Sequence, residues 1–282
     1  MSRVLEVAID GGPYALAAGP DGAMWVTLVH AGAIARVGGD GVVDLHPVAA
    51  EARPSLITAG PDGAMWFTRA GDDQIGRITS DGDLSAYELP SGSAPFGITV
   101  GPDRALWFTA MTTGVIGRIS VDGEVTQEAV VGGMPSMITT GPDGALWFTL
   151  NKANAIGRLE PAGGVTLRQL PTPNAGPVGI AATHDDTVWF TEHLGERLGR
   201  IPMNDAIQEL DMPGKPHAVV ADPDGGVWVS LWGTGQLARV SADGEVATID
   251  LPAGSEPHGL AFAPDGALWV ALESGFVLRF PT

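Results

Sequence analysis

Short apolar runs broken by Gly, Pro or Asp follow one another along the whole chain, and they recur in a fixed order. After a proline comes a run such as PFGITV. Next are a turn such as GPDGA, an LWFT-like run, a loop, an IGRI-like run carrying an arginine, a DG turn and a last run such as LSAYELP. The opening prolines are Pro13, Pro54, Pro95, Pro135, Pro177, Pro216 and Pro257, spaced 39 to 42 residues apart. Twelve residues after each lies a tryptophan: Trp25, Trp66, Trp107, Trp147, Trp189, Trp228 and Trp269. The chain is seven copies of one unit, and each unit reads as four short strands separated by turn residues.

A period near 40 suits both helical-hairpin repeats and propeller blades. Composition decides between them. Forty glycines and 22 prolines could be housed in helices only at heavy propensity cost, whereas blades need a turn every eight to twelve residues. The pattern predicts an all-β fold, a seven-bladed β-propeller of four-stranded blades forming a single domain over residues 1–282. The seventh unit stops after its third run, FVLRF, and the first residues, RVLEVAI, read as a spare fourth run. Pairing the N-terminal strand into the C-terminal blade would close the ring and remove two open sheet edges.

Charge and cysteine usage narrow the function. A formal net charge of −18 repels phosphate backbones and anionic bilayers, so neither nucleic acid nor membrane is expected as a partner. MSRVLEVAID lacks the basic start and apolar stretch of a secretory signal, and no apolar run is long enough to span a bilayer. A cytoplasmic location is expected, and a closed ring is expected to act as a monomer. The absence of cysteine excludes disulfides, thiol nucleophiles and thiolate metal sites.

The repeat supplies its own control, because what recurs in every unit is structural and what occurs once needs another reason. The frame tryptophans read as packing between blades. Arg36, Arg77, Arg118, Arg158, Arg200, Arg239 and Arg279 recur in the third run and read as scaffold, making blade-to-blade hydrogen bonds. The aspartates of the PDG turns, among them Asp62, Asp143 and Asp265, cap their own backbone.

The position after the opening proline does not recur. It holds Tyr14, Ser55, Phe96, Ser136, Val178, His217 and His258, so two of the six histidines and a tyrosine fall on units that are contiguous around the ring. In unit seven a hairpin turning at Pro264-Asp265-Gly266 sets Glu256 opposite Glu273. Antiparallel partners have Cβ atoms about 5 Å apart, and two carboxylates that close require a bridging proton or cation. The same geometry in unit six sets His217 near Trp232, which lies outside the tryptophan frame. Glu192 and His193 are expected near the rim but across the ring from Glu273, as background. His30, His46 and His184 match no constellation.

The whole chain resembles the virginiamycin B lyases, also called streptogramin B lyases. The likeness is carried by the seven WFT-type units, GPY in unit one, PHA in unit six, and EPHG with WVALE in unit seven. It implies a seven-bladed propeller that opens a small cyclic depsipeptide, an antibiotic of the streptogramin B class, by magnesium-dependent β-elimination at the threonyl ester. Resistance to the antibiotic would follow. It further implies that Glu256 and Glu273 are the metal carboxylates, His258 the catalytic histidine, and His217 and Tyr14 substrate contacts, with Trp232 or Phe96 against the apolar side chains. The other rim loops, such as MTTG and NKAN, depart freely from the family pattern.

Two other classes are compatible with a propeller. A metal-dependent lactonase of the gluconolactonase type would need several oxygen ligands on the inner strands, more than the repeats supply. A non-enzymatic binding platform would leave the convergence of Glu256, His258, Glu273 and His217 without a purpose.

Overall fold

The computed structural model describes residues 4–203 and 205–281; Arg3 of the N-terminal run lies outside the described residues. Among those described there are 28 strands and no helix, arranged as seven four-stranded antiparallel sheets, the blades of a seven-bladed propeller. Blade seven is composite. Pro257–Phe262, Leu268–Leu272 and Phe276–Phe280 come from the C-terminus, and Leu5–Ala8 pairs onto the last of them with Leu5 opposite Arg279 and Val7 opposite Val277. The ring closes as the sequence predicts.

Seven apolar cores lie at the seams between consecutive blades rather than inside blades. Trp147 of blade four packs with Ile180, Val188, Phe190 and Ile201 of blade five, and Trp269 of blade seven packs with Leu16, Met24 and Val26 of blade one. Trp25, Trp66, Trp147, Trp189 and Trp269 are fully buried, while Trp107 and Trp228 occupy the same seams half-buried.

On the face where the first hairpins turn, one aspartate organises each of several blades. In blade one Asp21 Oδ1 accepts from the Trp25 indole and from Ala23 N, both at 3.2 Å, while Oδ2 accepts from Arg36 Nε at 2.6 Å. Asp62, Asp103 and Asp143 repeat the arrangement with Arg77, Arg118 and Arg158. The frame arginines are therefore scaffold, but their bonds run mainly within a blade, tying the third strand to the turn. Among the described residues, Arg200 alone of the frame arginines reaches the next blade, through the Ala242 carbonyl at 2.7 Å.

On the opposite face every inner hairpin carries a register shift just after its proline. A bulge of this kind frees one N–H from the ladder and re-aims a side chain. The freed N–H is caught by a hydroxyl of the second strand, which also donates across the seam. Thr191 Oγ1 accepts from Gly179 N and donates to the His217 carbonyl, each at 2.7 Å. Thr27, Thr68, Thr109 and Thr149 do the same in blades one to four. Blade seven has Ala271 at this place, so its seam with blade one lacks the hydroxyl. Close approach replaces it: a Cβ on Gly259 would lie 2.7 Å from Ala15 Cα and 2.8 Å from the Tyr14 carbonyl oxygen.

Candidate active site

Because the bulge falls at the residue after the opening proline, it is that residue's side chain which turns toward the ring axis, and the differences between repeats concentrate there. The Tyr14 ring lies 4.6 Å from that of His258, 5.9 Å from that of His217 and 6.2 Å from that of Phe96. His217 and His258 meet edge to face at 4.6 Å. The Tyr14 hydroxyl is 3.5 Å from His217 Nε2. Blades one, six and seven thus place three rings in mutual contact, and Phe96 of blade three meets the Tyr14 ring.

A second circle of residues is set four positions after each frame tryptophan, where the second strand ends. It holds His193, Trp232 and Glu273 in blades five to seven. In each, the backbone N–H closes the hairpin on the residue before the proline: Glu273 N donates to Glu256 O at 3.0 Å, and Trp232 N to Lys215 O at 2.9 Å. The predicted opposition of Glu256 and Glu273 is present in the backbone. Their side chains behave differently, however. Glu256 is exposed, and among the described residues its carboxylate has no ion-pair or hydrogen-bond partner. Glu273 instead turns inward between two imidazoles: Oε2 lies 2.5 Å from His258 Nε2, and Oε1 accepts from His30 Nε2 at 2.7 Å. The His258 contact has the distance of an ion pair without the alignment of a hydrogen bond, so both buried ring nitrogens of His258 lack a hydrogen-bond partner among the described residues.

Four expectations are corrected here. His30 belongs to the site, reaching across the ring seam from blade one to Glu273. His193 is not background: its ring lies 5.9 Å from His217 and 6.2 Å from Trp232, and its Nδ1–H donates to the Pro216 carbonyl at 3.2 Å. His193 therefore sits between Trp232 and His217, and Trp232 has Lys215 rather than His217 as its cross-strand partner. The frame could have revealed His193, which occupies the position of Glu273 in its own repeat; His30 sits one residue beyond that position and gave no such signal. His46 stacks on Trp25 at 5.5 Å and belongs to the scaffold. Glu192, one residue before His193, points the other way and is fully buried rather than at the rim.

Burial sets the protonation of the cluster. It lowers the pKa of His258, against the pull of Glu273, and takes His217 well below the usual imidazole range, with His258 and His193 adding to the effect. His193 is lowered too, by burial and then by the Lys215 charge. At all three positions burial favours the neutral imidazole. The Tyr14 phenol is raised, by burial first and by Glu273 second, so it stays protonated as a donor. Glu192 is pushed up to about 8 by burial and by Glu209 beside it.

Among the described residues no three His, Asp or Glu side chains converge to enclose a metal unaided. The donors at hand are the Glu256 and Glu273 carboxylates, hard oxygens on opposed residues of one hairpin, with Glu256 open to water. Such a set fits Mg²⁺, which keeps several waters and takes one or two protein carboxylates.

Residues 2–280 match the model of the virginiamycin B lyase family. The chain belongs to that family. It is 72% identical to the virginiamycin B lyase of Mycobacterium sp. strain JLS over 281 residues, all of both chains, and 74% identical to that of Mycolicibacterium smegmatis over the same length. Such identity over the full length makes it a lyase. Among solved structures, selenomethionine-substituted virginiamycin B lyase from Staphylococcus aureus superposes with a TM-score of 0.93 at 36% identity, covering 98% of each chain. A catalytically inactive histidine-to-alanine form of the Staphylococcus aureus enzyme with quinupristin superposes with 0.92 at 35% identity, again over 98% of each chain. A putative gluconolactonase shares the fold alone, with a TM-score of 0.67 at 15% identity.

Proposed function

We propose that this lyase linearises streptogramin B type cyclic depsipeptides by β-elimination at the threonyl ester, consuming no water and so inactivating the antibiotic. The carrying observation is His258: a buried imidazole whose Nδ1 has no hydrogen-bond partner among the described residues and whose Nε2 is held against Glu273, in contact with Tyr14 and His217. The names of the relatives supply the substrate class.

In this reading His258 takes the threonyl α-proton. The C–H electron pair becomes the Cα=Cβ double bond, and the pair of the Cβ–O bond leaves with the ester oxygen as a carboxylate. A base must be neutral to accept a proton, and burial favours that state of His258. Glu273 orients the ring and stabilises the imidazolium once formed. Tyr14 and His217 donate hydrogen bonds to the macrocycle, and Trp232 offers its exposed ring to an apolar side chain. Mg²⁺, held by Glu256 and Glu273, would polarise the carbonyl next to the α-carbon as charge builds there.

Virginiamycin B incubated with the protein and Mg²⁺ should yield a linear product of unchanged mass with a new ultraviolet absorption, and excess chelator should abolish turnover. A product heavier by one water would establish a lactonase-type hydrolase instead; a bound but unaltered macrocycle would establish a binding platform.

A further inference from the structure

We infer that Lys215 is the anchor for the carboxylate released when the ester bond breaks, so that the protein holds the leaving acid on blade six while the proton is taken on blade seven. This rests on the ester-cleavage reading above.

Cations are scarce in a chain of net charge −18, and most are committed. Arg36, Arg77, Arg118, Arg158, Arg239 and Arg279 are each paired with an aspartate on the turn face. The chain has only two lysines, Lys152 and Lys215. Among the described residues no carboxylate lies within ion-pair distance of the Lys215 ammonium; it rests instead over the Trp232 ring, 5.7 Å from the centroid. That places it at the site, since Trp232 faces His193 and His193 faces His217, and the Lys215 charge is felt at His193.

The repeat frame sharpens the assignment. Lys215 stands to His217 as Glu256 stands to His258, immediately before the opening proline. In blades one to five that position is left-handed: Gly12 (φ 71°), Arg53 (φ 45°), Ala94 (φ 46°), Met134 (φ 60°) and Gly176 (φ 60°). Lys215 and Glu256 are not in that region, so their Cα–Cβ bonds leave the backbone in a direction not shared by those of Arg53, Ala94 and Met134. The two neighbouring blades thus present opposite charges at equivalent places, an acid beside the base His258 and an ammonium one blade away. Ester cleavage turns a neutral group into an anion, and in so acidic a protein that anion needs a local cation. The unpaired ammonium on blade six supplies one.

The test compares two neutral-versus-anionic ligands by calorimetry. Alkaline opening of virginiamycin B gives a linear acid, and its methyl ester carries no charge. Wild-type protein should bind the acid at least about tenfold more tightly than the ester, the scale of a hydrogen bond to a charged group, and added salt should erode the difference. Lys215→Met should bind acid and ester alike, Lys215→Arg should keep the preference, and Lys152→Met should leave it untouched. If Lys215→Met lacks a cooperative melting transition, Lys215→Gln is compared with Lys215→Arg in its place. Absence of a preference in the wild type, or its survival in the Met or Gln variant, overturns the inference. Water uptake during turnover would remove the elimination mechanism and leave this test readable, because hydrolysis also liberates a carboxylate.

Discussion

The two faces of the ring are built from the same strands and obey opposite rules. On the turn face of blades one to four, Asp, Trp and Arg repeat from blade to blade and satisfy one another, with the Asp143 carboxylate accepting from Trp147, Ala145 N and Arg158 at once; in blades five and seven the Trp189 and Trp269 indoles have no such partner among the described residues. On the rim face the equivalent positions vary among Tyr, Ser, Phe, Val and His, and the polar groups are left wanting: buried nitrogens of His217 and His258 lack hydrogen-bond partners among the described residues. A scaffold gains from complete pairing, whereas a site must keep donors and acceptors free for a substrate. Unsatisfied groups are tolerable on the rim because seven packed seams hold the backbone beneath them.

Four changes probe this contrast, taken from the largest effect down. His258→Ala should lower kcat by about 10²- to 10⁴-fold, the scale of a general acid or base, with the melting temperature little changed; loss of stability with the chemistry intact in the remaining folded fraction would place His258 in the scaffold. Trp147→Ala, at a buried seam, should do the reverse, costing about 3–5 kcal/mol in denaturant unfolding while folded protein retains activity.

Glu192→Gln tests a buried group that serves neither face. Its folded pKa is about 8 against 4.5 for an ordinary glutamate, so the folded state holds a proton that the unfolded chain has released across that interval. The stability from protonated Glu192 is therefore fully present below pH 4.5 and is lost as pH rises toward 8, at about 1.4 kcal/mol per unit. The Gln variant, which needs no proton, should gain on the wild type between pH 5 and pH 8 in thermal melts; equal differences at both pH values would show that Glu192 is ionised in the fold. The smallest effect is expected for Arg118→Ala. Its pair with Asp103 is substantially exposed on both sides, so unfolding should report a loss of no more than about 1 kcal/mol and turnover should be unaffected.

Much of the site was legible because a repeat fixes places. Pro-to-Trp spacing locates each inner hairpin, and the hairpin turn sets Glu256 opposite Glu273, as the Glu273 N to Glu256 O bond bears out. Comparison among repeats separated His217 and His258 from the frame. The direction of the arginine bonds was not legible: Arg36 and Asp21 sit fifteen residues apart in the chain, and only the fold shows that the third strand of a blade returns beside its own first turn.

The sequence by itself determined the number of blades, the closure of the ring by the N-terminal strand and which rim positions carry unusual residues, because these follow from local periodicity and strand alternation. Only the tertiary structure decided which of those residues meet. His30 reaches Glu273 across the seam where the chain's two ends join, 243 residues away in sequence. His193 joins the cluster because its ring crosses the seam to blade six, 5.9 Å from that of His217. Side-chain contacts between blades depend on ring curvature and on which rotamers the seams leave open, and neither is written in the period of the repeat.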